Sequence, residues 1–298
     1  MNQVVLGVHR SNPGFVELGN RLGKDKLFSY INSFGFGKKT GIDLNGEASG
    51  ILFNINKVGP VELATTAFGQ GVSVTPIQQI TAVSAAINGG ILYKPYIVKS
   101  LNDPETNSVI KENKPVKVRR VISKKTSSEV RRALESVVTN GSGRNAFIDG
   151  YRVGGKTGTA QKVKDGKYMV GNYILSFIGF MPADNPEIIV YVAINNPKKV
   201  IQYGGVVSAP IARSILLDSI DALNIKKRKI VTEKKYNWND KKYYTVSNVL
   251  GMSPKEATKE LSMFNVIYSG TGDKVVNQSP SAGTRIEEGS TVRLMLGN

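Results

Sequence analysis

The chain of 298 residues contains no cysteine and a single histidine, His9. Without cysteine it cannot form disulfides, thiolate nucleophiles or cysteine-based zinc sites. With one imidazole near the N-terminus, a histidine-rich metal site or a Ser-His-Asp triad is disfavoured. We therefore expect no metal ion and no cofactor, and we expect the base of any nucleophile to be a lysine.

The sequence also lacks long apolar runs, and it has too few carboxylates to balance its lysines and arginines. No run of about 18 apolar residues exists, and the N-terminus lacks the charged-then-apolar layout of a signal peptide. The 23 acidic residues are outnumbered by 40 lysines and arginines, which gives a net charge of +17. This charge indicates an anionic partner, either nucleic acid, an anionic lipid surface or a polyanionic cell wall, and does not choose among them.

What the chain does contain is apolar spacing typical of helices in its first half. One helix begins near Asn12 and breaks near Gly23, and a second lies between Thr75 and Gly89. A third is predicted over residues 127–138. These helices supply apolar faces that can cover a sheet.

The sheet is predicted from Tyr151 onward. A strand continues through Val163, a hairpin turn follows, and "NYILSFIGFM" and "EIIVYVAINN" continue the meander. Ser208 and Pro210 are then expected to open a helix. The predicted fold class is α+β, an antiparallel sheet covered by helices.

Composition divides the chain into two domains. Residues 224–242 are charged and poor in apolar side chains, which predicts a basic linker between a domain of residues 1–223 and a small domain of residues 243–298. In the small domain, Ser253, Pro254 and Glu256 occupy capping-box positions. Short strands such as "NVIYS" and "TVRLML" surround that helix, so the small domain is also α+β.

The segment "RVGGKTGTAQ", residues 152–161, places glycines inside a strand, where glycine normally weakens the structure. Missing side chains would allow an extended peptide to lie alongside as an added strand. Lys156 supplies a cation, and Thr157 and Thr159 supply hydroxyls for a carboxylate. The segment predicts a cradle for a peptide carboxylate. Its glycines are Gly154, Gly155 and Gly158.

"GGKTGTAQ" resembles the KTG box of penicillin-binding proteins and serine β-lactamases, which lies on a sheet edge beside an acyl-transfer site. The segments "GFVELGNRLGKDKLFSYINSFGFGKKTGIDLNGEASG" and "TTAFGQGVSVTPIQQITAVSAAINGG" resemble the class B, monofunctional transpeptidase family. The resemblance extends from about Ser11 to Leu223. It implies the penicillin-binding and β-lactamase-like transpeptidase fold, in incomplete form.

For the site, the resemblance implies catalytic roles for the KTG residues Lys156, Thr157 and Gly158. Lys156 and Thr157 help to bind the substrate carboxylate, while the backbone N–H of Thr159 contributes to the oxyanion hole. One such donor is typically worth roughly 10²–10³ in rate. Gly155 joins Thr157 and Thr159 as substrate-binding residues.

Two departures from the family pattern concern its other boxes. The SxN box aligns with "RSN", so Arg10 holds the serine position and Asn12, preceded by Ser11, is the matched catalytic residue. The SxxK box, which carries the nucleophile, is expected several tens of residues upstream. No nucleophile is therefore assigned, and we expect an N-terminally truncated fragment that is inactive alone.

Ser108 and Lys111 do spell SxxK, in "NSVIKENK". About two such matches are expected by chance in a chain with this many serines and lysines. The stretch is polar and does not read as a buried helix start. We therefore do not assign the nucleophile to Ser108.

"LGMSPKEATKEL" and "NQSPSAGTRIEEGSTVRLML" resemble a PASTA domain. Its coupling to a class B transpeptidase is similar to division- and sporulation-type enzymes of Gram-positive bacteria. PASTA modules are associated with peptidoglycan recognition, and the resemblance implies no catalysis for this part.

The leading interpretation is the C-terminal portion of a penicillin-binding D,D-transpeptidase that cross-links peptidoglycan stem peptides through a serine acyl-enzyme. Its implied partners are stem peptides, β-lactams, cell-wall polyanions or a membrane surface, and a division or sporulation glycosyltransferase. The resemblance places the complete protein at the extracytoplasmic face of the cell membrane.

Two other interpretations stay open. A non-catalytic peptidoglycan-binding protein would also use the cradle. Nucleic-acid binding is suggested by "KKRK" and nearby aromatic residues. Because these fall in the linker, a solvated tether is the simpler explanation, and we expect no nucleic-acid partner.

Overall fold

The structure is a computed structural model that describes residues 11–164, 166–228 and 243–298. The chain divides into two compact units at residues 235 and 236. The first unit includes the start of the predicted linker, because Ile225 is buried in its core and the amide of Arg228 donates to Gly150 O. Residues 229–242, like His9 and Arg10, lie outside the described residues.

Two short helices open the first unit. Helix α1 covers Asn12–Leu22, and the Ser11 hydroxyl caps it by accepting from Gly14 N at 3.3 Å. Helix α2, Lys24–Ser33, follows after Gly23, whose φ of 78° breaks the helix. The predicted break near Gly23 is confirmed.

Helix α3, Pro60–Ala67, packs against α1 and was not predicted. The two helices approach closely at Gly19, since a Cβ there would lie 2.5 Å from the Cβ of Ala67. Helix α1 is thereby fixed to α3.

Helix α4, Pro76–Ile87, begins where the sequence predicted, with Thr75 as its cap. The capping box is completed by Gln78, which is buried. Its amide also donates to Lys38 O at 2.6 Å and Ser49 O at 2.8 Å. One side chain therefore caps the helix and fixes the long loop before it.

The same loop is held by Glu47, which accepts hydrogen bonds from Thr40 N, Thr40 Oγ1 and Gly41 N. Burial alone would raise the pKa of Glu47, but these hydrogen bonds outweigh it and lower the pKa below the ordinary value of 4.5. The ionised carboxylate therefore stabilises the folded loop above that value. The contribution is lost as pH falls through the lowered pKa.

We expect Glu47→Gln to lower the free energy of unfolding by about 1 kcal/mol at pH 7, because a hydrogen-bonded charge is lost. Urea unfolding at a series of pH values should show the difference from wild type shrinking below about pH 4.5. Glu129→Gln, at an exposed position, is the control. A Glu47→Gln difference that stays constant down to acidic pH would contradict the prediction.

Two small antiparallel pairs follow. Strand β1, Ile91–Lys94, pairs with β4, Val116–Arg120, and β2, Ser100–Asn102, pairs with β3, Val109–Glu112. Every side chain of β3 and β4 is exposed. Apart from Leu92 on β1, which is buried, these strands lie outside the core.

Helix α5, Lys124–Asn140, is three residues longer at its start than predicted, because Ser123 accepts from Thr126 N at 3.0 Å and caps it. A 3-10 turn, Arg144–Ala146, then leads toward the central sheet.

The central sheet contains β5, Gly154–Lys164, β6, Lys167–Met181, and β7, Ile188–Asn195, in the order β5-β6-β7. Both pairs are antiparallel, which confirms the predicted meander. Helix α6, Gly204–Ala222, covers one face of the sheet. The α+β prediction is confirmed.

The start predicted for α6 is wrong by several residues. Ser208 and Pro210 lie inside the helix, and the Ser208 hydroxyl donates to Leu175 O at 2.9 Å. Gly204 and Gly205 form the first turn, where the missing side chains let the helix touch the sheet. The start is set by this tertiary contact, which the local sequence does not show.

The core of the first unit lies between α6 and the sheet. It contains fully buried Phe177, Met181 and Leu216, with Ile148 and Val153 before β5. A smaller cluster on the opposite face joins Phe180 and Ile87. The sheet is therefore covered on both faces at the Met181 end of β6.

The second unit contains β8, Tyr243–Thr245, helix α7, Pro254–Glu260, and strands β9, Asn265–Gly270, β10, Lys274–Ser279, β11, Arg285–Glu287, and β12, Thr291–Gly297. The predicted capping box of Ser253 and Glu256 is confirmed. Strands β9 and β12 are parallel, while β10 and β12 are antiparallel. Val249, Leu261 and Leu294 are buried in its core.

Candidate functional site

The KTG segment lies at an open sheet edge. Strand β5 pairs with β6 on one side, and no other strand in the described ranges pairs with it. An extended peptide could therefore add to this edge by main-chain hydrogen bonds.

The direction of the backbone groups along β5 follows from the contact with α6. Gly158 and Ser176 are register partners. A Cβ on Gly204 would lie 2.3 Å from Ser176 O and 2.5 Å from Gly158 O, so these two oxygens are close to each other. The oxygens of two facing residues come this close only when both point into the space between their strands. Because successive residues alternate, the N–H and C=O groups of Thr157 and Thr159 face the open edge.

Lys156 brings positive charge to the same edge. Its side chain is half-buried, and its Nζ donates to Thr157 O at 3.1 Å. Since Thr157 O faces away from β6, the ammonium lies beside the open backbone groups. This is the placement that carboxylate binding would require.

The sheet face that bears Lys156 becomes progressively exposed toward the far end of β5. Ala160, Ile174, Ala193 and Asn195 lie on this face and are exposed. In the described part of the chain, no helix covers this region. A reacting group could therefore approach the KTG edge from this side.

Thr157 points the other way. Its side chain is 5% exposed, and its hydroxyl lies 3.0 Å from the Ser142 hydroxyl, under α6. A direct contact of this hydroxyl with a carboxylate would require a change in that packing. Its role in substrate binding stays a prediction.

Thr159 lies beside the first turn of α6. Gly204 N donates to Thr159 Oγ1 at 3.4 Å, and the side chain is half-buried. Its backbone N–H faces the open edge. The residue therefore presents a backbone donor at the open edge, while its hydroxyl lies on the α6 side of the sheet.

The start of β5 is fixed by an ion pair. Arg152 donates to both carboxylate oxygens of Glu135 on α5, at 2.8 and 2.7 Å. The hydrogen bonds to Glu135 raise the pKa of Arg152 further above its ordinary value. The pair holds the KTG strand against α5.

The SxN residues are less clearly connected to this edge. Ser11 caps α1, and Asn12 is exposed at the first position of that helix. Helix α1 packs against α2 and α3. The described contacts of Ser11 and Asn12 do not join them to β5, and Arg10 is outside the described residues.

Ser108 and Lys111 lie in the exposed hairpin of β2 and β3. The Ser108 hydroxyl pairs with Thr106 Oγ1 at 2.8 Å. Within the described residues, no cluster of three or more potential metal-ligating side chains occurs, and no helix is long and apolar enough to cross a membrane.

Sequence reasoning missed two serines. Ser142 supports Thr157 from the other side of the strand, and Ser176 lies beside Gly158, where a Cβ would be 2.3 Å from Ser176 Oγ. "TNGSGRNA" around Ser142 contains turn residues but no signal for its partner. The contact of Ser176 with Gly158 arises only when β5 and β6 pair, and that of Ser142 with Thr157 only when the turn after α5 packs against β5.

The class defined by this fold and edge agrees with comparisons to known proteins. The penicillin binding protein transpeptidase domain model matches residues 8–217, and the PASTA domain model matches residues 244–298. The chain belongs to the penicillin-binding protein transpeptidase family.

Two curated relatives show which members of this family the chain is similar to. Stage V sporulation protein D of Bacillus subtilis is 62% identical over 285 residues, which cover 96% of this chain and 44% of the relative. Probable peptidoglycan D,D-transpeptidase PenA of Neisseria meningitidis is 34% identical over 223 residues, which cover 74% of this chain and 36% of the relative. The chain thus spans less than half the length of these relatives.

Among solved structures, penicillin-binding protein 3 of Mycobacterium tuberculosis in complex with ampicillin matches with a TM-score of 0.71 and 29% identity. The match covers 77% of this chain and 52% of that chain. The transpeptidase domain of Burkholderia pseudomallei penicillin-binding protein 3 matches with a TM-score of 0.65 and 33% identity, covering 74% and 64%.

Proposed function

We propose that the open edge of β5 binds the D-Ala-D-Ala end of a peptidoglycan stem peptide in a D,D-transpeptidase. The observation that carries the proposal is the direction of the Thr157 and Thr159 backbone groups, which face this edge beside Lys156. The peptide would add as a strand, with its carboxylate at Lys156. The scissile carbonyl oxygen would accept from Thr159 N–H.

The chemical step would be acyl transfer. A serine Oγ attacks the carbonyl carbon of the penultimate D-Ala, its proton passes to a lysine base, and the terminal D-Ala leaves as the amine. An acceptor amine then attacks the ester, forms the cross-link and releases the serine. At this edge the described residues contain no counterpart of the SxxK box. We therefore propose cross-linking for a protein that also supplies that box.

In this proposal Gly155 and Gly158 act on substrate binding indirectly: their missing side chains make room for the Phe177 ring and for Ser176 Oγ, which fixes the position of β5. Thr157 likewise acts through the strand position that its contact with Ser142 supports. Asn12, with Ser11, stays a proposed catalytic residue of the SxN box. The contacts that the structure describes for Asn12 do not bring it to the β5 edge.

The proposed cellular setting follows the relatives. Identity to a sporulation protein favours a sporulation role, at the extracytoplasmic face of the membrane, together with a glycosyltransferase that makes the glycan strands. The PASTA domain would add contact with peptidoglycan. No comparison supports a non-catalytic binding protein. In the "KKRK" segment considered for nucleic acid, Arg228 pairs with Asp184 at 3.2 Å and Lys226 donates to Asn224 Oδ1 at 2.6 Å, while Lys229 lies outside the described residues.

We expect Lys156→Gln to weaken binding of diacetyl-Lys-D-Ala-D-Ala by about tenfold or more, because a charge-assisted hydrogen bond to the carboxylate is lost. Isothermal titration with this peptide and with its C-terminal methyl amide would check it. Wild type should prefer the acid, and Lys156→Gln should bind both alike. Lys125→Gln, at an exposed site on α5, is the charge-matched control. Full preference for the acid in Lys156→Gln would refute the assignment.

The intact mass of the protein, measured before and after incubation with ampicillin, distinguishes acylation from reversible binding, because only acylation adds the mass of the drug. We expect an unchanged mass, since Ser108 and Lys111 lie in the exposed β2–β3 hairpin. An adduct, located by peptide mapping, would place a working nucleophile within the 298 residues, and Ser11 would be the first candidate.

A further inference from the structure

The β5–β6 hairpin projects beyond the rest of the central sheet. Strand β7 ends at Asn195, opposite Ile174, so residues 162–171 of the hairpin have no neighbouring strand from β7. We call this segment, residues 162–171 without Asp165, the projecting hairpin. It is the direct continuation of the KTG strand.

The direction of a bound peptide connects the projecting hairpin to the proposed reaction. With the terminal carboxylate at Lys156 and the scissile carbonyl at Thr159, the preceding peptide residues continue toward Lys162 and Lys164. Strands advance about 3.3 Å per residue, so positions two to four residues before the scissile bond lie about 7–13 Å along the edge. These positions fall beside the projecting hairpin.

This hairpin carries an excess of positive charge, because residues 162–171 contain three lysines and one carboxylate, that of Asp165, which lies outside the described residues. In the described part of the chain, Lys162, Lys164 and Lys167 form no ion pair. Lys162 Nζ donates only to the neutral amide oxygen of Asn195, at 3.0 Å. Lys198 of the following loop likewise donates to the neutral Asn172 Oδ1, at 3.2 Å.

Two of the lysines face each other. Lys164 and Lys167 are register partners at the end of the hairpin, and both are exposed. Like charges directly opposite in an antiparallel pair are destabilising. An anion beside them would relieve that repulsion.

The projecting hairpin also exposes apolar surface. Val170 is 87% exposed, and the facing pair Val163 and Tyr168 are 56% and 47% exposed. A ligand that combines carboxylates with aliphatic stems would match this mixture of ammonium and apolar groups.

We propose that the projecting hairpin is a specificity subsite for acidic residues that precede the scissile bond of the stem peptide. This inference rests on the proposed function of the KTG edge. Lys162, Lys164 and Lys167 would attract free carboxylates two to four residues before that bond. Amidation of those carboxylates would therefore weaken binding without affecting the D-Ala-D-Ala end.

The test uses two synthetic peptides, acetyl-γ-D-Glu-Lys(acetyl)-D-Ala-D-Ala with a free α-carboxyl on its first residue and the same peptide with an α-carboxamide. Dissociation constants are measured by isothermal titration at low salt. Wild type should bind the acid about three- to tenfold more tightly than the amide, as a few partly exposed ion pairs allow. The preference should decrease with added salt.

The triple variant K162Q/K164Q/K167Q should bind both peptides alike, with the affinity for the amide peptide unchanged. The charge-matched control K24Q/K26Q/K125Q changes three exposed lysines on α2 and α5 and should keep the preference. Circular dichroism of each variant checks the fold. If K162Q/K164Q/K167Q lowers binding of the amide peptide as well, the lysines support the strand rather than select charge, and the inference is overturned.

The remaining outcomes separate this inference from the proposed function. Equal binding of both peptides by wild type would overturn the subsite and leave the KTG cradle intact. Retention of the preference in K162Q/K164Q/K167Q would also overturn the subsite. Loss of all binding in wild type, including that of diacetyl-Lys-D-Ala-D-Ala, would refute the cradle and with it the subsite.

Discussion

Gly155→Ala is expected to lower the free energy of unfolding of the first unit by about 3 kcal/mol, the upper end of the usual range for overpacking. Its Cβ would lie 2.4 Å from the ring of Phe177 and 2.7 Å from Ile178 O. The ring is fully buried and bounded on other sides by Gly143 and Gly179, so it has little room to move. Strand β5 itself must shift.

The measurement is hydrogen exchange of peptides from β5 and β6 as a function of urea, which reports the first unit without the PASTA domain. Binding of diacetyl-Lys-D-Ala-D-Ala to folded Gly155→Ala should also weaken, because the shift displaces the backbone groups of Thr157 and Thr159. Exchange and binding equal to those of wild type would contradict the prediction.

Gly158→Ala is the matched control on the same strand. Its Cβ would lie 2.3 Å from Ser176 Oγ, the end of a side chain, but 3.7 Å from Ser176 Cβ. Adding Ser176→Ala should therefore remove the clash and restore most of the stability. The same Ser176→Ala change should not rescue Gly155→Ala, because different atoms block that position.

Local signals explain which elements could be predicted from the sequence. The capping residues Thr75 and Ser253 and the break at Gly23 act within one turn of helix, so neighbouring residues suffice to locate them. The β5–β6 meander was readable for the same reason, since period-two alternation and a tight hairpin turn are local.

The unpredicted features depend on residues that are distant in sequence. Pro210 favours a helix start by its local chemistry, yet α6 begins at Gly204 because two glycines there contact the sheet. Helix α3 packs on α1 through Gly19, which no periodicity reveals.

At the site, the sequence predicted the residue types but not the direction of their groups. Thr157 and Thr159 are equivalent in a pattern of alternating residues, and both hydroxyls were expected to reach a carboxylate. In the structure Thr157 is buried against Ser142, whereas Thr159 lies beside Gly204. Only the packing of α6 on the sheet distinguishes them.

The ion pair of Arg152 and Glu135 leads to the second prediction, since it joins α5 to the beginning of the KTG strand. The Glu135 side chain is 7% exposed and that of Arg152 is 27% exposed. Arg152→Met would leave a nearly buried carboxylate without its cation. We expect the free energy of unfolding to fall by about 3 kcal/mol, the lower end of the range for broken buried pairs, because Arg152 is partly solvated.

Replacing both partners tests whether the unpaired charge causes that loss. The double variant Glu135→Leu and Arg152→Met has no buried charge and a similar side-chain volume, so most of the stability should return. Hydrogen exchange of the β5 peptides in urea measures the free energy of unfolding of Arg152→Met and of the double variant. Arg21→Met, which breaks an exposed ion pair with Glu17, is the control. If the double variant is as unstable as Arg152→Met, lost packing rather than an uncompensated carboxylate accounts for the effect, and the pair would act on the KTG edge through shape alone.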